Sequence, residues 1–430
     1  MDGRTRLILI IVAGVCTATS CNDSEEPSIP VAPATWIDDD VMRRVVRASP
    51  VPAVPSDLTN RYADDPSAAQ FGQWLFHDER LSGTGTFSCA SCHDPQKDFT
   101  DGLARAHTIR EGERHTPSLL NVAHQKWVTW DGGSDSLWAH GLRPMENPDE
   151  MNGDRLAFVH LIASDEALRA AYEQIFGSLN IDIEHLPQHG RPGDDPALAQ
   201  AWDSLEPDVQ QNVMVLMANV GKAMAAYQRQ LNTGETPFDR YVQAYTSGKS
   251  TEGHLSPSAE RGMNLFFGRG ECWECHTGPL FSDGEFHNIG LPVTDGELPK
   301  DAGRYRGAKM VKNDPFNASG DFSDDPDGTW AKVVRGTRID PDTWGAFKTP
   351  SLRGVSDTAP YMHAGQLEDL EAVVRFYSTL EGAVQLDHHQ ESVLSPLGFS
   401  EAEIDDVVEF LRSLKGQKLP SDVLIKPQKP

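Results

Sequence analysis

Apolar residues recur at helical spacing in several separate segments of the chain. In the longest segment, Val213, Leu216 and Val220 follow one another three or four positions apart, which places them on one face of a helix. The last segment begins with the capping-box pattern Ser400-Glu-Ala-Glu403. The pattern predicts helices over residues 68–76, 154–176, 208–231, 258–267, 367–379 and 400–414.

The predicted helices fall into two halves, with a polar stretch over residues 246–253 that we interpret as a hinge. Residues 22–55 are rich in Pro, Ser, Asp and Ala, which is typical of a flexible tether. A Gly-, Asp- and Pro-rich stretch over residues 278–343 contains only weak strand signals. These boundaries predict a tether over 22–55, an N-terminal domain over 56–245, a C-terminal domain over 254–415 and a tail over 416–430.

The pattern Cys-Xaa-Xaa-Cys-His occurs once in each half, as Cys89-Ala-Ser-Cys92-His93 and as Cys272-Trp-Glu-Cys275-His276. It is the attachment signature of covalent haem c, in which the thiols add to the vinyl groups and the histidine ligates the iron. Two cysteine pairs could instead hold zinc, but a histidine directly after each pair favours haem. We therefore expect two covalently bound haem c groups.

A haem supplies apolar core that a short helical segment lacks. The predicted fold class is therefore mainly α, with two cytochrome c-like haem domains packed face to face and joined by long irregular loops. Each domain would carry one of the two haems. The repeated plan indicates duplication of one haem-binding unit.

The first 21 residues resemble a signal peptide, with Arg4 and Arg6 before an apolar run that ends near Cys16. The run is shorter than the roughly 20 apolar residues that a membrane span needs. Two outcomes stay open: lipidation of Cys21, as in a bacterial lipoprotein with a membrane anchor, or cleavage near Ser20. Both predict an exported, periplasmic protein.

The formal net charge of −26 argues against a nucleic-acid partner. An acidic surface favours encounter with a basic protein, so a small basic cytochrome c is one expected partner.

Several segments around the two motifs resemble the bacterial dihaem cytochrome c peroxidase/MauG family. The resemblance extends over about residues 60–415. The segments that carry it are Leu81–His93, Arg114–Val122, Trp130–Leu137, Pro144–Met151 and Phe347–His363. The stretch Val213–Gln230 is most similar to the MbnH-type branch, which consists of MauG-like enzymes found with copper-binding proteins.

The resemblance implies that the N-terminal domain carries the peroxidatic haem and the C-terminal domain the electron-transfer haem. It also assigns roles around the first haem. Glu150 matches the catalytic carboxylate, which moves a proton between the two oxygens of peroxide. Pro144 matches a residue that crowds the distal face and leaves it open. His140 stands where the peroxidases carry Gln, and acts either as an acid/base or as an iron ligand. His107 matches the histidine that blocks the resting iron, although a surface histidine is the alternative.

Two further residues follow from the same resemblance. Trp130 matches the tryptophan that lies between the two haems and relays electrons. Tyr377 stands at the distal ligand position of the second haem, where peroxidases carry Met and MauG carries Tyr. A phenolate is a hard anionic ligand that stabilises oxidised iron, whereas a thioether raises the potential. Met362 or Met310 is the alternative ligand.

The family also holds a Ca²⁺ ion between its haem domains. The resemblance implies carbonyl ligands at Thr358 and Pro360. His115 replaces the usual asparagine ligand, and imidazole binds hard Ca²⁺ poorly.

The function that the resemblance implies is a dihaem oxidoreductase that uses hydrogen peroxide to form a high-valent state of both haems. That state would oxidise a side chain of a protein substrate, a Trp converted to kynurenine in MbnH-type enzymes. Trp273, inside the second motif, is a candidate exit relay. The alternative is a cytochrome c peroxidase that reduces peroxide with electrons from a small c-type cytochrome. A plain electron carrier is a third class, which Glu150 and Pro144 argue against.

Overall fold

The computed structural model describes residues 38–293, 300–384 and 394–429. The helices are α1 (Asp39–Arg47), α2 (Pro66–Phe76), α3 (Cys89–Cys92), α4 (Leu137–Glu146), α5 (Arg155–Ser164), α6 (Glu166–Phe176), α7 (Pro196–Asp203), α8 (Pro207–Gln228), α9 (Pro237–Thr246), α10 (Pro257–Phe267), α11 (Arg304–Asn313), α12 (Thr329–Arg335), α13 (Leu370–Thr379), α14 (Glu401–Arg412) and α15 (Ser421–Leu424). Two short strands, β1 (Phe286–His287) and β2 (Phe347–Lys348), pair antiparallel. The predicted mainly α fold is confirmed.

Helix boundaries follow local capping chemistry. The side chain of Asp65 accepts hydrogen bonds from the first turn of α2, and Ser400 and Glu403 form the predicted capping box of α14. The helical pattern predicted over 154–176 is interrupted, because Asp165 closes α5 and caps α6 by accepting from the Leu168 N–H. The short side chain of Asp165 can accept a hydrogen bond from the first turn of α6, and this bond competes with continuation of α5.

The first hydrophobic core is built on α2, α4 and α8. Gly72 of α2 lies directly on α8, where a Cβ would collide with the carbonyl of Ala223. Gly221 of α8 approaches the carbonyl of Trp138 in the same way, so the two glycines bring three helices close together. Trp138 itself is fully buried. Helix α4, which also carries His140 and Pro144, is therefore held by this core.

The second core is built on α10, α13 and α14 and is rich in phenylalanine. The rings in contact belong to Phe238, Phe266, Phe267, Phe281 and Phe410. Gly262 of α10 lets α14 approach until a Cβ would collide with the Asp406 carbonyl. Phe281 belongs to the loop that follows the second haem motif, so this core also supports that motif.

Two predicted domain boundaries do not coincide with the packing of the described helices. The tether over 22–55 contains α1, whose Met42 and Val45 are buried in the second core. The N-terminal domain over 56–245 was expected to include α9, yet Phe238 and Tyr241 of α9 also belong to the second core. Both helices are amphipathic, and nothing local in an amphipathic helix specifies which core it packs against. The described residues from 38 to 429 belong to one compact unit.

The predicted tail over 416–430 is attached to the first core through α15. Gln73 donates to the carbonyl of Asp422 at 2.7 Å, and the Tyr227 hydroxyl donates to that of Val423 at 2.7 Å. These bonds hold the C-terminal segment against α2 and α8.

Cys16, Cys21 and the predicted signal peptide lie outside the described residues. Among the residues that are described, no helix has the length and apolar character that a membrane crossing needs.

A buried ion pair joins α9 to the segment after β2. Arg353 is fully buried and donates to both carboxylate oxygens of Asp239, at 2.6 and 3.0 Å, and also to the Ala48 carbonyl. Although burial alone would raise it, Arg353 holds the pKa of Asp239 below its ordinary value. The pair therefore ties α9 and the chain end of α1 to the second haem domain.

We expect Asp239→Asn to lower the free energy of unfolding by about 3–5 kcal/mol, because it leaves the Arg353 charge buried and unpaired. Urea denaturation measures this loss. Because the pKa of Asp239 is depressed, the stabilisation is present above the unfolded-state pKa and is lost as pH falls through the folded-state pKa. Glu401→Gln, which breaks the exposed pair with Arg375, is the control and should change little. Equal losses in the two variants would contradict the prediction.

Candidate functional site

The first motif forms the short helix α3, and His93 follows it directly. The His93 Nδ1 donates to the Phe99 carbonyl at 3.0 Å, which leaves Nε2 with its lone pair available for a metal. Cys89 and Cys92 are free thiols. Two free thiols and a histidine with fixed tautomer are the donor set that haem c requires, so the residues fit the cofactor.

The second motif repeats this arrangement. The His276 Nδ1 donates to the Phe281 carbonyl at 2.9 Å, and Cys272 and Cys275 are free thiols. Among the described residues, Cys275 is grouped with Asp283 and His287, and the two cysteine pairs are not brought together in one metal site. This placement does not support a four-cysteine zinc site.

A second repeated element orients both histidines, and the sequence analysis missed it. Ser118 donates to the Asp98 carbonyl at 2.6 Å, and Ser351 donates to the Leu280 carbonyl at 2.7 Å. Each bond holds the loop whose next carbonyl accepts from the histidine. The signal was present as two repeats, Thr-Pro-Ser-Leu at 116–119 and 349–352, and Phe-Thr/Ser-Asp-Gly at 99–102 and 281–284. The occurrence of one copy of each repeat after each motif could have identified these residues.

Glu150 lies close to the first motif. Its Oε1 accepts from the Asn147 amide at 2.6 Å, and its backbone carbonyl accepts from the Ile109 N–H at 3.2 Å. Burial raises the pKa of the Glu150 carboxyl, while Asn147 opposes that rise. The charge of Glu150 in turn helps to raise the pKa of the Cys92 thiol, which places the two side chains near each other. A carboxyl with a raised pKa is suited to accept and return a proton.

His140 and Pro144 lie four residues apart on one face of α4. Burial, with the charges of Arg143 and His93 nearby, lowers the pKa of His140 to about 3. Its Nδ1 is buried and has no hydrogen-bond partner among the described residues. His140 is therefore a buried, neutral imidazole close enough to His93 for their charges to interact, and its Nδ1 is available to a bound molecule or to iron. Both predicted roles of His140 stay predictions.

His107 is exposed, and its loop passes close to the first motif. The His107 carbonyl lies 3.4 Å from the Cys92 sulfur, and its N–H donates to Asp101 at 3.0 Å. The ring faces Phe87, with centroids 6.0 Å apart. The backbone is thus held at the motif while the side chain lies at the surface.

Trp130 is bonded to both halves of the chain. Its indole N–H donates to the His115 carbonyl at 2.9 Å, and its own carbonyl accepts from the Lys348 N–H at 2.7 Å. His115 and Lys348 each precede a Thr-Pro-Ser-Leu repeat. Trp130 therefore lies between the two segments that support the two histidines, as an inter-haem relay requires.

Tyr377 of α13 lies near both thiols of the second motif. Burial raises the pKa of its hydroxyl, and the neighbouring Cys272 and Cys275 raise it further. Met362 packs against the second core, whereas Met310 is partly exposed on α11 beside Gly133. Met310 thus contacts the loop that contains Trp130 rather than the second core, so Met362 is the better-placed sulfur alternative, and Tyr377 as the distal ligand stays a prediction.

The Thr358 hydroxyl and the His115 ring have protein partners, whereas the predicted calcium ligands are the carbonyls of Thr358 and Pro360. The Thr358 hydroxyl donates to the Val355 carbonyl at 3.2 Å, and the His115 Nδ1 donates to the Leu103 carbonyl at 2.7 Å. Calcium at Thr358 and Pro360 stays a prediction.

The proposed exit relay Trp273 has Arg44 stacked over its ring at 4.0 Å. A cation there disfavours a positive charge on the indole, which argues against that role.

A sequence profile described as di-haem cytochrome c peroxidase matches residues 66–247. The chain is 31% identical to the methylamine utilization protein MauG of Methylorubrum extorquens over 411 residues, which cover 95% of this chain and 93% of that protein. The chain belongs to the di-haem cytochrome c peroxidase/MauG family. It is also 32% identical to the cytochrome-c peroxidase IdrP2 of Denitromonas iodatirespirans, covering 84% and 85% of the two chains.

The protein has the same fold as a MauG-like protein associated with microbial copper homeostasis, for which there is a crystal structure. The TM-score is 0.61 at 24% identity, with 88% of this chain and 97% of that chain covered. The family assignment makes this protein a haem-dependent oxidoreductase that acts with hydrogen peroxide and carries two c-type haems. Both peroxidases and MauG occur among its relatives, so the family alone does not select the substrate.

Proposed function

We propose that this protein uses hydrogen peroxide to oxidise a side chain of a partner protein, as MauG-like enzymes do. The proposal rests on Tyr377, whose hydroxyl is close enough to Cys272 and Cys275 for these groups to raise its pKa. The family resemblance aligns Tyr377 with the position at which a cytochrome c peroxidase has methionine. A hard oxygen ligand disfavours reduction of the second iron by a cytochrome and favours retention of oxidising equivalents. We further propose that the substrate is a tryptophan of a copper-binding partner, since residues 213–230 resemble the MbnH-type branch.

The side chains around the first motif supply the proton chemistry. When bound, the haems supply the redox centres that take two electrons from the substrate. The Glu150 carboxylate takes a proton from one oxygen of peroxide and returns it to the other, and Asn147 holds that carboxylate in place. Pro144 offers neither a donor nor a ligand atom from its ring, so it leaves room for peroxide. His140 is neutral and can accept a hydrogen bond.

The test is to incubate the haem-loaded protein with peroxide and a candidate copper-binding partner, and then to map oxidised residues in the partner by peptide mass spectrometry. Oxidation of one partner tryptophan that depends on both peroxide and this protein supports the proposal. Partner protein that remains unmodified, while reduced cytochrome c is oxidised rapidly, contradicts it.

Trp130→Phe should slow partner oxidation by roughly tenfold or more, since phenylalanine is much harder to oxidise than an indole that relays charge between domains. The reaction of peroxide itself should persist, because Glu150 is unchanged. Rapid mixing with peroxide separates these two steps. Trp127→Phe, in the same loop, is the matched control. A Trp130 variant that oxidises the partner at the original rate would remove the relay role.

A second candidate is peroxide reduction with electrons from a small basic cytochrome c. The net charge of −26 favours such an encounter. Steady-state turnover with reduced cytochrome c discriminates the two functions, because Tyr377 should make that turnover slow.

A further inference from the structure

Helices α11 and α12 carry an unusual charge for this protein. α11 contains four Lys or Arg residues, α12 contains two, and neither helix contains Asp or Glu. The whole chain has a net charge of −26. We call the exposed surface of these two helices the cationic face, defined by Lys309, Lys312, Lys332 and Arg335. A positively charged surface on a protein of negative net charge is a candidate binding site for a negatively charged partner.

The lysines of the cationic face are not neutralised by carboxylates of the described residues. Lys309, Lys312 and Lys332 have no ion pair among the described residues, and Lys312 donates only to the Thr337 carbonyl. Arg335 is paired with Asp327 at 3.6 Å, and that aspartate is almost fully exposed. The ammonium groups are therefore available to an external anion.

Apolar side chains are also exposed on α11, on α12 and at Trp344, whose ring packs against Tyr305 of α11. Met310 and Trp344 are each 37% exposed, and Val333 is 46% exposed. A cleft of about 740 Å³ extends from Lys309 and Met310 to Trp202 and Met214 of the first core. A surface that combines large apolar and cationic side chains with a cleft is typical of a protein interface.

The cationic face lies over the loop that contains Trp130. Gly307 of α11 rests on this loop, where a Cβ would collide with the Asp131 carbonyl, and Arg304 donates to the Gly132 carbonyl at 2.8 Å. Trp330 of α12 packs against Trp127 of the same loop, with ring centroids 5.0 Å apart. A partner bound here would lie above the proposed relay rather than at the pocket of Glu150.

We propose that the cationic face is the docking site for an acidic segment of the partner protein, with an apolar side chain of that segment placed against Met310 and Val333. This inference rests on the proposed oxidation of a partner protein. Charge complementarity selects the occupant: an acidic segment is attracted to unpaired lysines, whereas a basic cytochrome is repelled there and attracted to the acidic remainder of the surface.

The test measures binding to the haem-loaded full chain without peroxide, so its outcome is independent of the oxidation chemistry. The probe is a fluorescent decapeptide of glutamate with one central leucine, followed by anisotropy at several salt concentrations. Lys309→Glu/Lys332→Glu should weaken binding on the order of tenfold or more and reduce its salt dependence. The matched control is Lys249→Glu/Lys418→Glu, which makes the same charge change at exposed lysines elsewhere.

Loss of binding in the first variant, with the control unchanged, supports the docking site. Absence of peptide binding to the unmodified protein overturns the proposal, and so does an equal loss in both variants. Peptide binding that survives in the first variant also overturns it. If docking is confirmed but no partner residue is oxidised, the proposed function fails while the docking site stands.

Discussion

Tyr377→Met should change the second haem from an oxygen-ligated to a sulfur-ligated centre, shift its absorption spectrum and raise its reduction potential. The expectation rests on the family resemblance and on the buried Tyr377 hydroxyl, which is close enough to both thiols of the second motif for them to raise its pKa. A thioether favours reduced iron, whereas a phenolate favours oxidised iron. Partner oxidation should fall about 100-fold, equivalent to about 2.7 kcal/mol of activation free energy. Turnover with reduced cytochrome c should rise.

The matched control is Met362→Leu, which removes the better-placed alternative sulfur ligand while keeping its volume. It should leave the spectrum and potential of the second haem unchanged. Tyr377→Phe adds a second readout, because it removes the ligand atom and should open the second iron to small exogenous ligands. If Met362→Leu altered the spectrum and both Tyr377 variants did not, the assignment of the distal ligand would be reversed.

Glu150→Gln should lower the rate of reaction with peroxide by about 10²–10⁴-fold, since an amide cannot take a proton from one peroxide oxygen and deliver it to the other. Haem attachment should be retained, because Cys89, Cys92 and His93 are unchanged. The rate is measured by stopped-flow absorption at the first haem. Asp149→Asn is the matched control: Asp149 is an exposed neighbour paired with Arg110, and its substitution should leave the rate nearly unchanged.

The pH dependence supplies an independent check on Glu150. Burial raises the pKa of this carboxyl above its ordinary value. The proton-accepting form is the carboxylate, so the rate should fall as pH drops through that raised pKa and should be constant above it. In Glu150→Gln this acidic limb should disappear. An acidic limb that persists in the variant would assign the proton transfer to another group.

The contiguous motifs and the isolated residues of the candidate site differ in how far the sequence predicted them. Both haem attachment sites were predictable, because their five residues are contiguous and the chemistry depends on that local spacing. The loops that orient His93 and His276 also contain sequence repeats. The structure shows the role of these repeats, because Ser118 and Ser351 hold the two loops by hydrogen bonds. Glu150 and Tyr377 required a family resemblance, because an isolated carboxylate or tyrosine carries no local signature.

The sequence by itself determined the features that depend on neighbours within a few residues: the two Cys-Xaa-Xaa-Cys-His sites, the capping box of α14 and the presence of the main helices. Only the tertiary structure decided which core α1 and α9 pack against and that Trp130 is hydrogen-bonded to both halves of the chain. It also decided that the lysines of α11 and α12 are exposed. Capping and helical periodicity act over one or two turns, whereas burial and surface charge depend on segments that are distant along the chain.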